Sequence, residues 1–474
     1  MLQTLKNAWN TKEIRSKILF TLFILFLYRL GTVIPVPFVD SNNDTLTSIF
    51  SGTILQYMNA LSGNAMGSMT LFALGVQPYI NASIIIQLLA VVFPALGELG
   101  KTDKKMMNLI TRLTTVGLAI VTAIGYFFLI KKGGALTHRA ASGELSWFYG
   151  VVIVVCYTAG ASLVMWLAER INEKGIGNGI SMILFANIVS AVPSFVIQLV
   201  NLAAYSYTYP YLNGLYGAVA TIFAIALVAF LIALIAFVIF VTGSERRIPV
   251  QYAKKVVGRK MYGGQNTNLP IKLNMTGVMP IIFASSIVSF VPTILQILES
   301  ASIVTKDKTP FWYNFADVIG SEGVIYPIML FVLIIGFAYF YTQITFDPIE
   351  VANNLKKNGG AIPGIRQGRP TAEHIKKILN KITLAGALFL SFIAILPTVL
   401  GPHVFKHIIQ WILEGQYAGT MYESYASMFV NASTLTGVFT FGGTTLLIVV
   451  GVAIETFREL EAQLTMRNYK GFLN

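Results

Sequence analysis

The chain has 474 residues, of which 55% are hydrophobic and 12% are charged. A water-soluble globular protein of this length needs far more polar surface, so the composition excludes one and indicates an integral membrane protein. The 34 Lys and Arg residues outnumber the 21 Asp and Glu residues, which gives a net charge of +13. The single cysteine, Cys156, excludes internal disulfides and a thiolate metal site.

Ten apolar segments are long enough to cross the hydrocarbon core as helices, which takes about 20 residues. The strands of a transmembrane barrel would be about ten residues long and would alternate apolar and polar residues. These segments are almost continuously apolar, which excludes a barrel. The predicted fold is an all-α polytopic membrane protein with ten transmembrane helices. The predicted spans are 18–34, 72–93, 113–130, 147–168, 179–200, 215–241, 275–298, 324–346, 378–400 and 435–457.

Basic residues favour cytoplasmic loops, and their distribution predicts that both termini are cytoplasmic. Lys6, Lys12, Arg15 and Lys17 precede the first span, whereas the first outer segment, 35–70, contains no Lys or Arg. A basic stretch before an apolar one also occurs in cleaved signal peptides. The motif VIPVP at the end of this span is a poor cleavage site, so the span is interpreted as a retained anchor.

The segment 49–67, IFSGTILQYMNALSGNAMG, lies between the first two spans and is apolar but too short to cross the membrane. Gly52, Gly63 and Gly67 interrupt it. Irregular backbone at membrane depth must be buried or line a cavity, so one interpretation is a half-helix folded back into the protein as a stopper. An interfacial helix on the outer surface is the alternative.

An eleven-residue pattern occurs twice, as GVQPYINASII from Gly75 and as GVMPIIFASSI from Gly277, and seven of eleven positions agree. Each copy opens a long apolar segment, so the repeated unit is half of the protein. The predicted halves are residues 1–210 and 211–474, each with five spans. Duplicated membrane halves are typical of proteins with a transport pathway between them.

Two inner loops, 242–274 and 347–377, are longer and more basic than connectors between spans require. Such loops attract membrane lipids with anionic headgroups, acidic proteins or RNA phosphates, although basic loops also follow from the orientation rule alone. They are predicted to be docking surfaces.

An ion-coupled secondary transporter with inverted repeats is the alternative function, but coupling normally requires ionisable residues at the midplane. Arg29 lies well within a span, whereas Glu169, Asp347 and Glu455 fall near span ends. An intramembrane enzyme would need a nucleophile, an aspartate pair or an H-E-x-x-H motif. None is found in the sequence, so an enzyme is not predicted. His403 and His407 have helical metal spacing but no convincing third ligand, so no metal or other cofactor is expected.

Six motifs in order resemble those of the SecY family of protein-conducting channels. The motifs are VIPVP from Val33, TLFALGVQPYINASIIIQLL from Thr70, WLAERINEKGIGNGISMILFANIV from Trp166, RRIPVQYAKKVVGRKMYGGQ from Arg246, NNLKKNGGAIPGIR from Asn353 and FGGTTLLIVV from Phe441. The resemblance implies an hourglass of two inverted halves in the bacterial cytoplasmic membrane. It would translocate unfolded secretory polypeptides (preproteins) and release transmembrane segments laterally into lipid.

The resemblance also implies roles for individual residues. A constriction ring in the pore would comprise Val76, Ile80, Ile180, Leu184, Ile282 and Ile448, although most membrane aliphatics only pack helices. A plug would include Ile54, Leu55, Tyr57, Met58, Leu61 and Met66. A lateral gate between spans 2 and 3 and spans 7 and 8 would have Asn81, Gln87, Ser286 and Phe290 near its seam, where helix packing alone is the competing interpretation.

The resemblance further implies partners. The small SecE subunit would be a permanent partner and SecG a peripheral one. The SecA motor ATPase, or the ribosome through its ribosomal RNA, would dock on basic residues of the two inner loops. These docking residues are Arg246, Arg247, Arg259, Lys260 and Arg366.

Overall fold

A computed structural model shows a helical protein with a small amount of β-structure. The structure describes residues 2–40, 58–59, 61–137, 146–208, 214–252, 255–257, 260–262, 266–300, 311–312, 325–400, 404, 407–408 and 442–470. Statements below concern these residues. The stretches that follow the predicted seventh and ninth spans, 299–322 and 401–434, lie almost entirely outside the described residues, and so does His403.

Helices of the first part of the chain follow the predicted spans closely but extend beyond several of them. The apolar runs form the central part of each helix, and polar residues that flank these runs continue several helices beyond the predicted ends. The helices are α1 (Leu2–Asn10), α2 (Lys12–Gly31), α3 (Gln77–Val92), α4 (Pro94–Thr102), α5 (Lys104–Lys132), α6 (Ser146–Lys174), α7 (Gly179–Thr208) and α8 (Gly214–Gly243).

The second part contains long helices and all the described strands. The strands are β1 (Glu245–Tyr252), β2 (Lys255–Val257), β3 (Lys260–Tyr262), β4 (Asn266–Lys272) and β5 (Gly360–Ala361). The helices are α9 (Met279–Ser300), α10 (Ile325–Thr345), α11 (Pro348–Lys357), α12 (Arg369–Leu400) and α13 (Gly442–Lys470).

Each predicted span overlaps one helix, but fewer described helices meet a strict test of length and apolarity. Seven are long and apolar enough to cross a membrane, or eight if α3 and α4 count as one broken span with a 117° bend. The helix α3 has only 16 residues. Arg15 and Lys17 in α2, and Arg458 and Glu459 in α13, lower the apolar character of those helices.

The two basic inner loops contain strands, so the all-α prediction was wrong for them. Strand β1 pairs antiparallel with β4, as in Ile248 opposite Leu269, and with β5, as in Gln251 opposite Ala361. Strands β2 and β3 form a separate hairpin. Because β1 and β5 belong to different loops, the sheet joins the two predicted docking surfaces into one structure.

Both copies of the repeat have the same local geometry. Gly75 and Gly277 both lie in the left-handed region, with φ of 54° and 65°. The next residue, Val76 or Val278, is buried, and its carbonyl accepts hydrogen bonds from the two amides three and four residues later. A proline follows near each helix start, where its missing amide hydrogen carries no penalty. The repeat thus encodes the same helix start in α3 and α9.

Candidate functional site

All six aliphatic residues predicted for the constriction, from four helices, belong to one large hydrophobic cluster that also includes residues of most other long helices. Five are at most 3% exposed, and Ile180 is half-buried against this cluster. Val76 is the N-cap residue of α3, so the helix start described above places it beside Ile80. We call these residues the aliphatic cluster: Val76, Ile80, Ile180, Leu184, Ile282 and Ile448.

Part of the predicted plug lies beside this cluster. Met58, Leu61 and Met66 all line a cavity of about 180 Å³, which also reaches Val76 and Leu184 of the aliphatic cluster. Residues 62–69 are turns rather than helix. Ile54, Leu55 and Tyr57 lie outside the described residues.

The turn segment, residues 62–69, and the adjoining Leu61 accept hydrogen bonds from the side chains of Asn187 and Arg29 on neighbouring helices. Asn187 of α7 is fully buried and donates from Nδ2 to the carbonyl of Leu61 at 2.7 Å and to the Tyr28 hydroxyl at 2.9 Å. Arg29 donates from Nη1 to the carbonyl of Gly63 at 3.1 Å. Arg29, the charged residue that the sequence places well within a span, therefore binds backbone.

The predicted gate residues lie along a seam where α3 and α5 meet α9 and α10. Asn81, Ser286 and Phe290 line the same cavity as the turn segment. Gln77 at the start of α3 lies across the seam from Ser286, with 3.5 Å between Nε2 and Oγ. This contact is long, so it holds the two sides only weakly.

Two further polar contacts cross the seam. The Tyr341 hydroxyl of α10 donates to Oε1 of Gln87 in α3 at 2.5 Å. Near the opposite end of the seam, Lys132 of α5 pairs with Glu299 of α9 at 3.4 Å, and both side chains are nearly half exposed. An exposed pair of this kind typically contributes only about 0–1 kcal/mol. Among the residues that the structure describes, polar contacts therefore join the seam at separate points rather than as a continuous network.

The sheet of the inner loops presents basic residues to solvent. Arg246 and Arg247 on β1 are exposed, and Arg247 donates to Glu245 at 2.8 Å. Arg366 is also exposed. Lys260 lies on β3, and Arg259 lies outside the described residues. By contrast, burial lowers the pKa of Lys272 at the end of β4, and the nearby charge of Arg458 adds to the effect.

No group of three or more potential metal ligands occurs within the part of the chain that the structure describes. His407 belongs to that part, whereas His403 does not.

The SecY family model matches residues 70–457. The chain belongs to the SecY family. It is 39% identical to the protein translocase subunit SecY of Streptomyces coelicolor, with complete coverage of both chains. It is also 39% identical to the subunit of the same name from Mycobacterium tuberculosis, again over the full length of both.

Solved structures share this fold at low sequence identity. One described as a protein conducting channel has a TM-score of 0.60 at 17% identity and covers 94% of this chain and 92% of its own. Canine Sec61 in a ribosome–channel complex has a TM-score of 0.56 at 16% identity, with the same coverage. These likenesses show that the chain shares the fold of these solved channel structures.

Several residues of the site were not predicted as such. Arg29 was predicted only as an isolated charge within a span, and no sequence pattern indicated a role for Tyr28, Asn187, Tyr341 or the Lys132–Glu299 pair. A lone amide in the apolar run SMILFANIV was a usable signal, because buried amides in membrane helices normally have a partner. The partner itself could not be predicted from the sequence, because Tyr28 lies 159 residues away.

Proposed function

We propose that this chain is the channel-forming subunit of a bacterial Sec protein translocase. It would pass unfolded secretory polypeptides across the cytoplasmic membrane and release transmembrane segments sideways into lipid. Membership of the SecY family and full-length similarity to translocase subunits support this function over an ion-coupled transporter. The observation that carries the proposal is that five of the six predicted constriction residues, from four helices, are nearly inaccessible within one hydrophobic cluster.

The aliphatic cluster suits a constriction that must accept every kind of side chain. Aliphatic groups form no specific bonds with the passing chain, and a narrow apolar constriction resists water and ions by dewetting. Five of the six side chains are nearly inaccessible, as a closed constriction requires. Polar or charged residues at these positions would both retain particular substrates and admit water.

The proposed layout has ten spans in two inverted halves, 1–210 and 211–474, with both termini cytoplasmic. The equivalent helix starts at Gly75 and Gly277 support the duplication. In the predicted orientation α3 runs inward and α9 runs outward, so the two copies enter the pore from opposite sides. Ile80 and Ile282 occupy the same position of the repeat, and both belong to the aliphatic cluster.

The seam is proposed as the lateral gate and the segment around 49–67 as the plug. The few polar contacts across the seam support an interface that separates readily, since interhelical hydrogen bonds in membranes contribute about 1 kcal/mol each. An apolar segment entering the pore would gain contact with lipid as the seam opens. A cavity of about 180 Å³ already lies between the seam and the turn segment, so this region is not tightly packed.

The sheet of the inner loops is proposed as the docking surface for the SecA motor or the ribosome. Arg246, Arg247 and Arg366 are exposed there, and an arginine fork can bind phosphate or carboxylate oxygens in pairs. SecE is proposed as a permanent partner and SecG as a peripheral one. Ribosomal RNA and anionic lipids are the phosphate-bearing surfaces that this face would meet.

The test is transport by the reconstituted protein. The chain and its SecE partner are placed in liposomes, SecA, ATP and a labelled precursor are added, and protection of the precursor from external protease is measured. ATP-dependent protection is expected. SecA binding without protection of the precursor would indicate a missing partner or a specialised substrate. The absence of both SecA binding and protection would favour the ion-coupled transporter instead.

A further inference from the structure

The short connection between α6 and α7 determines where α7 begins, and α7 carries two residues of the aliphatic cluster. Residues 175–178, called here the α6–α7 turn, separate the two helices. Asn178 caps α7, because its Oδ1 accepts from the Ile180 amide at 3.0 Å. Leu184 lies one helical turn after Ile180 on the same face. A shift or rotation of this helix start therefore moves both side chains of the cluster.

Two backbone amides at this connection donate to side chains of the first predicted half. The Ile176 amide donates to Thr21 Oγ1 of α2 at 3.0 Å. The Gly179 amide donates to Asn172 Oδ1 of α6 at 2.7 Å. Amides in a turn and in the first turn of a helix have no acceptor within the helix, so side chains that accept from them fix the path of the backbone.

The amide of Gly177, between these two, bonds to the second predicted half. It donates to Glu459 Oε2 of α13 at 2.9 Å. The φ of Gly177 is 82°, and a Cβ there would lie 3.2 Å from Thr456 Oγ1, so α13 approaches the backbone closely. A carboxylate that accepts from an amide forms a stronger hydrogen bond than a neutral acceptor does. Glu459 therefore ties the α6–α7 turn to a helix of the other half.

The Glu459 side chain is itself held in one direction. Its Oε1 accepts from Gln463 Nε2 at 3.1 Å, and Gln463 Oε1 accepts from Lys17 Nζ of α2 at 3.2 Å. The neighbouring Leu460 is buried in a small hydrophobic cluster together with Ile176 of the α6–α7 turn. Both carboxylate oxygens thus have partners, and apolar packing holds the same two segments together.

The helix α13 also reaches the aliphatic cluster directly. Ile448 lies 11 residues before Glu459, which is about three helical turns, so the two residues share one face of α13. Val452, between them on this face, is buried in the same large hydrophobic cluster as Ile448. One face of α13 therefore supplies one constriction residue and also binds the turn that precedes two others.

We propose that Glu459 is a positioning residue for the constriction. It holds the α6–α7 turn and thereby sets where Ile180 and Leu184 lie relative to Ile448. The acceptor belongs to the second half and the positioned side chains to the first, so this hydrogen bond fits the two halves of the constriction to each other. The inference rests on the proposed channel function and adds a residue outside the constriction on which its seal depends.

Three variants at two neighbouring positions test this role. Glu459→Ala removes the acceptor, whereas Glu459→Gln keeps an oxygen acceptor at the same distance from the backbone. Glu461→Ala removes an exposed carboxylate of the same helix and is the control. Each variant is reconstituted with its SecE partner, and resting ion permeability and apparent melting temperature are measured. We expect Glu459→Ala to raise the permeability about fivefold or more, and the other two variants to stay within about twofold of the unsubstituted protein.

Thiol labelling separates a local displacement from general loosening. In a Cys156→Ala parent, Ile180→Cys or Ile282→Cys is combined with Glu459→Ala, and the rate of alkylation by a small water-soluble maleimide is measured. We expect Glu459→Ala to raise the rate at position 180 at least about threefold more than at position 282, because the α6–α7 turn holds α7 and not α9.

An equal rise at both positions would overturn the proposal, because it would mean that Glu459 only stabilises the protein as a whole. Unchanged permeability of Glu459→Ala, or equal leakage from Glu459→Gln or Glu461→Ala, would also overturn it. Failure of the Cys156→Ala parent and the unsubstituted protein to carry out ATP-dependent transport would instead contradict the channel function on which the proposal rests.

Discussion

Ile282 and its neighbour Ile281 offer a matched test of the aliphatic cluster at the scale of one residue. Both are buried, at 3% and 0% exposure, but only Ile282 belongs to the six predicted constriction residues. We expect Ile282→Ser to raise the ion permeability of resting liposomes by roughly tenfold, because a hydroxyl favours wetting of a narrow apolar constriction.

The Ile281→Ser variant controls for simple destabilisation. It buries a hydroxyl in the same helix, which costs about 1–3 kcal/mol, without changing the six residues. Ion flux and apparent melting temperature are measured for both variants. Equal leakage from the two would argue that Ile282 only packs the helix.

Gly63 is a second residue that can be tested, because both its backbone conformation and its neighbours leave no room for a side chain. Its φ is 68°, and a Cβ there would lie 2.8 Å from Arg29 Nη1 and 2.8 Å from Asn187 Oδ1. We expect Gly63→Ala to lower the free energy of unfolding by about 1–2 kcal/mol for the left-handed backbone alone, and further for the displaced side chains.

The control for this prediction is Gly134→Ala. Gly134 has a similar φ of 66°, but a Cβ there would meet nothing within 4 Å. Thermal unfolding in detergent compares the two, and the extra loss at Gly63 measures the contact with Arg29 and Asn187. Equal losses would show that these two side chains accommodate a methyl group without strain.

At the scale of elements, the seam between α5 and α9 has a charge pair that can be exchanged. Lys132 and Glu299 lie 3.4 Å apart and are partly exposed. We expect Lys132→Glu to weaken the seam through repulsion, whereas Lys132→Glu combined with Glu299→Lys restores it. Because exposed pairs contribute about 0–1 kcal/mol, the effect should be small and should fade at high salt.

The measurement is the thermodynamic cycle of the two single variants and the double variant, with resting ion permeability and thermal stability as readouts at two salt concentrations. Additive effects in the double variant would mean that the pair does not couple the two helices.

The sheet formed by the two inner loops makes a prediction for docking. Arg366 is exposed in the second loop, while Arg369, three residues later, is 91% exposed and bonded to Glu373. We expect Arg366→Ala to weaken SecA or ribosome binding by about 5–30-fold, in the range of a lost charged hydrogen bond of about 1–2 kcal/mol.

Arg369→Ala removes the same formal charge and serves as its control. Binding is measured by sedimentation or fluorescence at two salt concentrations, since phosphate contacts weaken steeply with salt. A similar loss in both variants would assign the effect to net charge rather than to Arg366 itself.

At the scale of the whole molecule, the duplication predicts equivalent behaviour of two distant glycines. A Cβ at Gly75 would lie 3.7 Å from its nearest neighbour, Ser62, and a Cβ at Gly277 would lie 3.8 Å from Glu455. Neither site has a steric clash. We therefore expect Gly75→Ala and Gly277→Ala each to lower the free energy of unfolding by only about 1–2 kcal/mol, the cost of placing alanine in the left-handed region.

Thermal unfolding of the two variants checks this equivalence, with Gly336→Ala as the control. Gly336 lies within α10, has no close neighbour at the Cβ position and no positive φ, so alanine there should stabilise by roughly 0.5–1 kcal/mol. A much larger loss of unfolding free energy in one variant than in the other would show that the two repeat glycines are not equivalent.

The sequence predicted the membrane class and the approximate positions of the long helices, and family membership confirmed the SecY resemblance. The division into two halves stays a prediction. The prediction of an all-α protein missed the strands of the inner loops. Strand β5 has two residues and pairs with β1 more than 100 residues earlier, so no local pattern of alternation marks it. Helix ends also differed, as α3 begins at Gln77 rather than at residue 72 because Gly75 takes a left-handed turn.

Local composition by itself determined which segments enter the membrane, because transfer of about 20 apolar residues to lipid depends on those residues alone. The repeat likewise determined two helix starts, since glycine and proline act on their own backbone. Only the tertiary structure decided which side chains meet: that Asn187 bonds Tyr28 and Leu61, and that Arg29 bonds Gly63. Buried polar groups in lipid must find partners, but packing of helices distant in sequence selects them.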